Sequence, residues 1–165
     1  RYTNYTRILR IVKLVLNTSP IIFLSKINSL HLLIDSVKTI FVPQGVADEL
    51  LDYTLPDSLH LCEVSEVGAA FVRGAIGQLH QGELEAIVLA QELASDYVVL
   101  DDLLARRKAK RLGVKVIGTI GILLLLEKRG ALNAKQTWEK IMQLVEQHNM
   151  YLSSHMLEQL KEQLL

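Results

Sequence analysis

Apolar and polar positions along this chain change period several times, and each change marks an element. Residues 11–16 form an apolar run broken only by Lys13 and rich in β-branched side chains. A run of that length and type predicts a strand buried on both faces. Runs at 39–42, 59–64, 97–100 and 114–117 predict four more strands. Between them the pattern changes to a helical period. Helices are expected over 21–27, 30–35, 45–53, 66–79, 82–94, 103–112, 119–129, 134–148 and 153–165. Asn17, Thr18 and Ser19 supply capping side chains ahead of Pro20, which suits a first helical turn. Gly113 and Gly130 stand where helices should stop, while Gly68, Gly74 and Gly77 weaken the 66–79 pattern. Residues 82–94 are apolar on most sides, as in a helix buried between other elements. Strands alternate with helices throughout, which predicts an α/β fold with a parallel sheet covered on both faces.

Length sets the domain organisation. A chain of 165 residues fits one domain with a sizeable core. Residues 1–10 are polar and basic and read as a tail, leaving 11–165 as a single domain. Helices 134–148 and 153–165 have no strand between them and should cover the domain or form an interface. No apolar run reaches the roughly 18 residues of a membrane span, so no membrane partner is expected. The lone Cys62 excludes an internal disulfide and fits a reducing, cytoplasmic setting.

Formal charge is zero, with 18 basic and 18 acidic residues, so the whole molecule exerts no net pull on nucleic acid. Local charge is less even. Arg106, Arg107, Lys108, Lys110 and Arg111 fall within six positions. This cluster becomes a phosphate-binding face only if it borders an acidic site. Otherwise it is a solvated helix face. The histidines at 31, 60, 80, 148 and 155 show no metal-ligand spacing. His80 and Glu83 have an H-x-x-E look that is best read as surface. No glycine-rich phosphate loop is present.

The acidic residues carry the most chemistry. Four segments turn polar where apolar runs stop or helices start: 14–24, 42–52, 82–96 and 97–119. Ends of parallel strands converge on one sheet edge, where ligands bind. Carboxylates distant in sequence can therefore meet there, as a divalent cation requires for phosphodiester hydrolysis. Glu49 sits on a short helix beside Asp48, with Asp52 three positions on. Glu83 and Glu85 point about 200° apart on a helix, so one metal takes only one of them. Glu85 is the expected ligand and Glu83 a first-turn acid favoured by the helix dipole. Asp101 and Asp102 follow a strand, where adjacent side chains face opposite ways; either one could reach the site while the other caps the next helix.

The ordered motifs Asn17-Thr18-Ser19-Pro20, Pro43 to Glu49, Gly82 to Ile87, Asp101-Asp102 with Ala105-Arg106-Arg107, and Gly118-Thr119-Ile120-Gly121 resemble a PIN domain. The branch they resemble lies close to the VapC-type toxins of toxin–antitoxin pairs. The resemblance spans roughly 12–160 and implies a three-layer α/β/α sandwich with a central parallel sheet of four to five strands. It implies a metal-dependent endoribonuclease, using Mg²⁺ or Mn²⁺ to leave 5′-phosphate and 3′-hydroxyl ends. Carried over residue by residue, the metal set is Asn17, Glu49, Glu85 and Asp101, with Asp102 a rival for the last place. The catalytic acids are Glu49, Glu85 and Asp101, and Thr18, Ser19, Glu83 and Thr119 support them. Arg106, Arg107, Lys108 and Lys110 would grip RNA. The implied partners are RNA, a small cognate antitoxin and a second copy of the chain. Asn17 departs from the pattern, standing where the family has an Asp and lowering the site's charge by one. That leaves a second expectation, a catalytically impaired PIN-fold protein that binds RNA or a partner without cutting.

Overall fold

The computed structural model describes residues 12–77 and 79–165. The 1–10 tail reading and Ile11 lie outside the described residues. Within them, five strands form one sheet: β1 Lys13–Leu16, β2 Thr39–Pro43, β3 Leu59–Cys62, β4 Tyr97–Val99 and β5 Val116–Ile117. Their order is β3-β2-β1-β4-β5, and each pairing is parallel. The described helices are α1 Thr18–Lys26, α2 Leu30–Ser36, α3 Gln44–Glu49, α4 Glu66–Ala75, α5 Gln81–Glu92, α6 Leu103–Arg111, α7 Thr119–Lys128, α8 Ala134–Gln147 and α9 Ser154–Leu164. The alternation of periods read from the sequence is thus the order of elements in the fold.

Alternation along β1 divides the interior. Leu14 and Leu16 join a core with Ile21, Leu33, Ile122 and Ile141, which places α1, α2, α7 and α8 on one face. Leu160 and Leu164 bring α9 to that core. Val15 points the other way, to Ile87, Leu89, Val98 and Ala105, and so seats α5 and α6 on the opposite face. On that side α4 packs on α5 through Val72, Leu84 and Val88. The outcome is the three-layer α/β/α sandwich.

Two helices end three or more residues before the sequence predicts. The 45–53 helix stops at Glu49, because Leu50 turns inward to the core while Leu51, at 85 % exposure, points to solvent. Asp52 therefore leaves the helix. The 66–79 helix stops at Ala75, just past Gly74. The first helix instead begins earlier, at Thr18, which puts Pro20 in its first turn.

Helix α5 anchors its neighbours through carboxylates. Glu92 accepts the backbone N–H of Ser65 at 2.8 Å and also the Ser65 hydroxyl, which ties down the start of α4. Gly68 makes that approach feasible: a Cβ there would stand 2.8 Å from Val88 Cγ1 and 3.1 Å from the Glu92 carboxylate. Helix α3 belongs to the first core through Val46 and Leu50, yet its outer side reaches α5 across the C-terminal edge of the sheet.

Candidate active site

Strand order reverses between β1 and β4, since β1 is followed by β2 on one side and paired with β4 on the other. In open parallel sheets the crevice beyond the strand ends at such a reversal is where ligands bind. The two strand ends abut there, with Asn17 N–H donating to the Val99 carbonyl at 3.3 Å. Asn17 is 5 % exposed and holds the N-cap position of α1, but its side chain makes no capping bond. It lines a cleft of about 500 Å³ together with Thr18, Ser19, Glu49, His80, Gln81 and Glu83.

Residues from three separate stretches of chain meet in this cleft. The Thr18 hydroxyl donates to Glu49 Oε2 at 2.7 Å, orienting the acid that ends α3. Gly82 lets that acid lie against α5, as a Cβ there would stand 2.7 Å from Glu49 Oε1. Glu83 accepts the His80 N–H at 3.1 Å. Burial pushes the Glu83 carboxyl above its ordinary range. The His80 N–H pulls it back, and the charges of Asp102 and Glu49 raise it further. The electrostatic reach among Glu49, Glu83 and Asp102 is the repulsion expected of acids gathered at one place.

Glu85, the expected ligand, is elsewhere. One carboxylate oxygen accepts the Gly45 N–H at 3.1 Å and the other accepts Gln81 Nε2 at 2.8 Å. It faces the start of α3 and does not line the cleft, while Glu83 does. The two acids have different surroundings, and Glu83 rather than Glu85 is the one at the cleft. Helical spacing alone does not locate α3, whose Gly45 leaves no room for a side chain beside the Glu85 carboxylate.

Asp101 is likewise not among the residues lining the cleft. Its two oxygens accept the Thr119 N–H at 2.8 Å and the Thr119 hydroxyl at 2.7 Å, which caps α7. Burial raises its carboxyl above the ordinary range, and the two Thr119 bonds and the Arg106 guanidinium oppose that rise. Asp102 is exposed at the N-cap position of α6. Arg106 does not project to solvent as a phosphate grip would. Its Nη1 donates to the Leu100 carbonyl at 3.2 Å and lies against Gly118. Arg107 and Lys110 are exposed, whereas Lys108 lines a separate small pocket with Leu104 and Arg111. His80 and Gln81, read as surface or not singled out in the sequence, line the cleft. The H-x-x-E spacing that puts His80 and Glu83 in one turn was the available signal.

Among the described residues, no group of three or more His, Cys, Asp or Glu side chains converges closely enough to hold a metal ion. Apart from the His80 imidazole, the donors at the cleft are hard oxygens suited to Mg²⁺ or Mn²⁺: two carboxylates, two amides and two hydroxyls. Mg²⁺ commonly takes one or two carboxylates and keeps several waters, so the donor chemistry fits a weakly held, water-rich ion. No described helix is long and apolar enough to cross a membrane.

Comparison with known proteins bears on this geometry. The profile of a family described as a PIN domain matches residues 13–164. A search of curated proteins finds no match. Among solved structures, the chain is similar to a PilT N-terminus domain protein from the hyperthermophilic archaeon Sulfolobus solfataricus P2. Identity is 20 %, coverage is 73 % of this chain and 92 % of that one, and the TM-score is 0.46.

Proposed function

Because the chain belongs to the PIN-domain family, whose members are generally nucleases that typically use divalent metal ions, we propose that it is a metal-dependent endoribonuclease acting at the cleft between α1, α3 and α5. The observation that carries this reading is the meeting of Glu49 and Glu83 beside Asn17, where the strand order reverses. Glu49, Glu83 and the Asn17 amide oxygen would hold Mg²⁺ or Mn²⁺, with Asp102 adding charge from the rim. A bound divalent cation supplies an acidified water and offsets charge on the phosphate. The chain's own residues do the rest. Thr18 holds one Glu49 oxygen and so leaves Oε1 for the site. His80, which lines the cleft, would donate to a phosphate oxygen. Asp101, with both oxygens engaged by Thr119, braces the strand end from behind. Arg107 and Lys110 are the exposed cations for RNA phosphates.

The test is cleavage of a mixed single-stranded RNA pool with Mn²⁺, with Mg²⁺ and with excess chelator. Wild type should cut only with metal, while Glu49→Ala and Glu83→Ala should not cut. Cutting that persists in chelator, or in both variants, overturns the assignment. Likeness to the VapC-type branch extends the reading to a toxin restrained by a small antitoxin. Its support is the order of the motifs. Induced expression should then arrest growth, and Glu83→Ala should relieve the arrest.

A second reading has its own observation. Asn17 places no charge at the first acidic position, and no three-acid group closes among the described residues. Both favour a PIN-fold protein that binds RNA or a partner without cutting it. Retention of RNA by wild type and by Asn17→Asp, with no cuts under any metal, would favour this binder.

A further inference from the structure

We infer that Glu85 is a positioning residue for the proposed site: it fastens the start of α3 to α5 and so sets where Glu49 stands relative to Glu83. This inference rests on the nuclease reading above. Helix α3 has only six residues, too few to hold a helical position unaided. Val46, with Leu50 at the C-cap, buries it against one core, while the acid it delivers faces α5. Two close polar approaches join that side to α5, and each sets a glycine of one helix against a glutamate of the other.

At the start of α3, Gly45 donates its N–H to Glu85, and a side chain on Gly45 would overlap that carboxylate. At its end, Glu49 lies over Gly82. Gly45 and Glu49 are four positions apart, about 6 Å along a helix axis. The distance Glu49 reaches over α5 therefore depends on where Gly45 is held. Glu85 is itself held from behind by Gln81 at 2.8 Å. Glu85 is not among the side chains lining the cleft, and its contacts reach the site through α3.

The experiment compares wild type, Glu85→Ala, Glu85→Gln and Gly45→Ala in the full chain. It reads amide exchange across 45–49, Mn²⁺ affinity by electron paramagnetic resonance, and RNA cleavage. A glutamine oxygen can still accept the Gly45 N–H, though without charge. Glu85→Ala should speed exchange in α3 about tenfold, the scale of one bond to a charged acceptor, and should weaken Mn²⁺ binding and cleavage by a similar factor. Glu85→Gln should restore all three to within about twofold of wild type. Gly45→Ala should reproduce the Glu85→Ala loss and add little when combined with it.

If Gln loses Mn²⁺ as fully as Ala while α3 exchange stays at the wild-type rate, Glu85 is a ligand and the inference is wrong. It is equally wrong if exchange rises evenly over the whole chain with Mn²⁺ affinity unchanged, the mark of a purely structural role. If wild type neither cuts nor binds Mn²⁺ while α3 exchange responds as expected, the nuclease reading falls and the fastening is supported.

Discussion

Replacing Asp101 with Ala removes the acceptor of two hydrogen bonds at the start of α7. The donors are the Thr119 N–H and hydroxyl, at 2.8 and 2.7 Å, on a residue with 0 % exposure. Water cannot take the place of the carboxylate there. A bond to a charged acceptor contributes about 1.5–3 kcal/mol, and losing a helix cap costs about 1 kcal/mol. Two effects reduce the sum. The hydroxyl can rotate toward another acceptor, and the burial cost that raises the Asp101 carboxyl is removed with it. The net loss should be about 2–3 kcal/mol. Asp101→Asn keeps one acceptor and should lose about 1 kcal/mol. The assay is urea unfolding in chelator at neutral pH. The midpoint should fall by roughly 1–2 M at unchanged slope. A carboxylate whose main role is metal ligation behaves in the opposite way: its removal relieves repulsion and leaves metal-free stability level or higher. A loss below about 0.5 kcal/mol for Asp101→Ala would refute the capping account.

Three further outcomes follow from the same geometry. Glu83 is raised above the ordinary glutamate value of 4.5, so the native state holds its proton more tightly than the unfolded chain does. Stability therefore falls as pH rises through the window from 4.5 to the folded value. Glu83→Gln lacks that fall, so its melting temperature in chelator should exceed wild type at pH 8 and draw level near pH 4; parallel curves would count against the burial account. Asn17→Asp adds a charge at a 5 % exposed position beside two acids. It should lower the melting temperature in chelator and tighten Mn²⁺ binding about tenfold, and tighter binding without the thermal penalty would contradict it. Arg107→Ala should weaken RNA binding at all sequences alike and reduce the salt slope by about 1. Arg106→Ala should instead cost about 1–2 kcal/mol of stability by freeing the Leu100 carbonyl; if the two arginines exchange these effects, the burial assignment fails.

Strands and helices were legible because burial imposes its period directly on the chain. The run 13–16 and the nearly all-apolar 84–90 could not fold as anything exposed, and both lie in the core. The place of the candidate cleft was legible as well, since polar residues follow the ends of β1 and β4 and a parallel sheet brings those ends together. The choice between Glu83 and Glu85 was not. Helical spacing fixes the angle between two side chains but says nothing of which neighbour lies in each direction. That depends on α3, which is placed by contacts 40 residues distant. Gly45 and Gly82 were the legible trace of it, because each glycine stands where a glutamate of the other helix must fit. The contact that Arg106 makes was hidden for a similar reason. A basic run looks uniform in sequence, but one arginine five positions past Asp101 folds back onto the strand end it follows.

The two glutamates of α5 that receive neighbouring helices also constrain the route by which the chain folds. Glu85 and Glu92 stand seven positions apart, two helical turns, and therefore on one side of α5. Each waits for a segment made earlier in the chain, at separations of 40 and 27 residues. Helix α3 cannot persist before its anchor exists, and the start of α4 is in the same position. Helix α5 should be structured in the transition state, with α3 docking onto it afterwards. Mutations in the apolar body of α5 would then slow folding, whereas Val46→Ala in α3 would mainly speed unfolding. The segment that carries Glu49 would accordingly be among the last to dock and the first to leave.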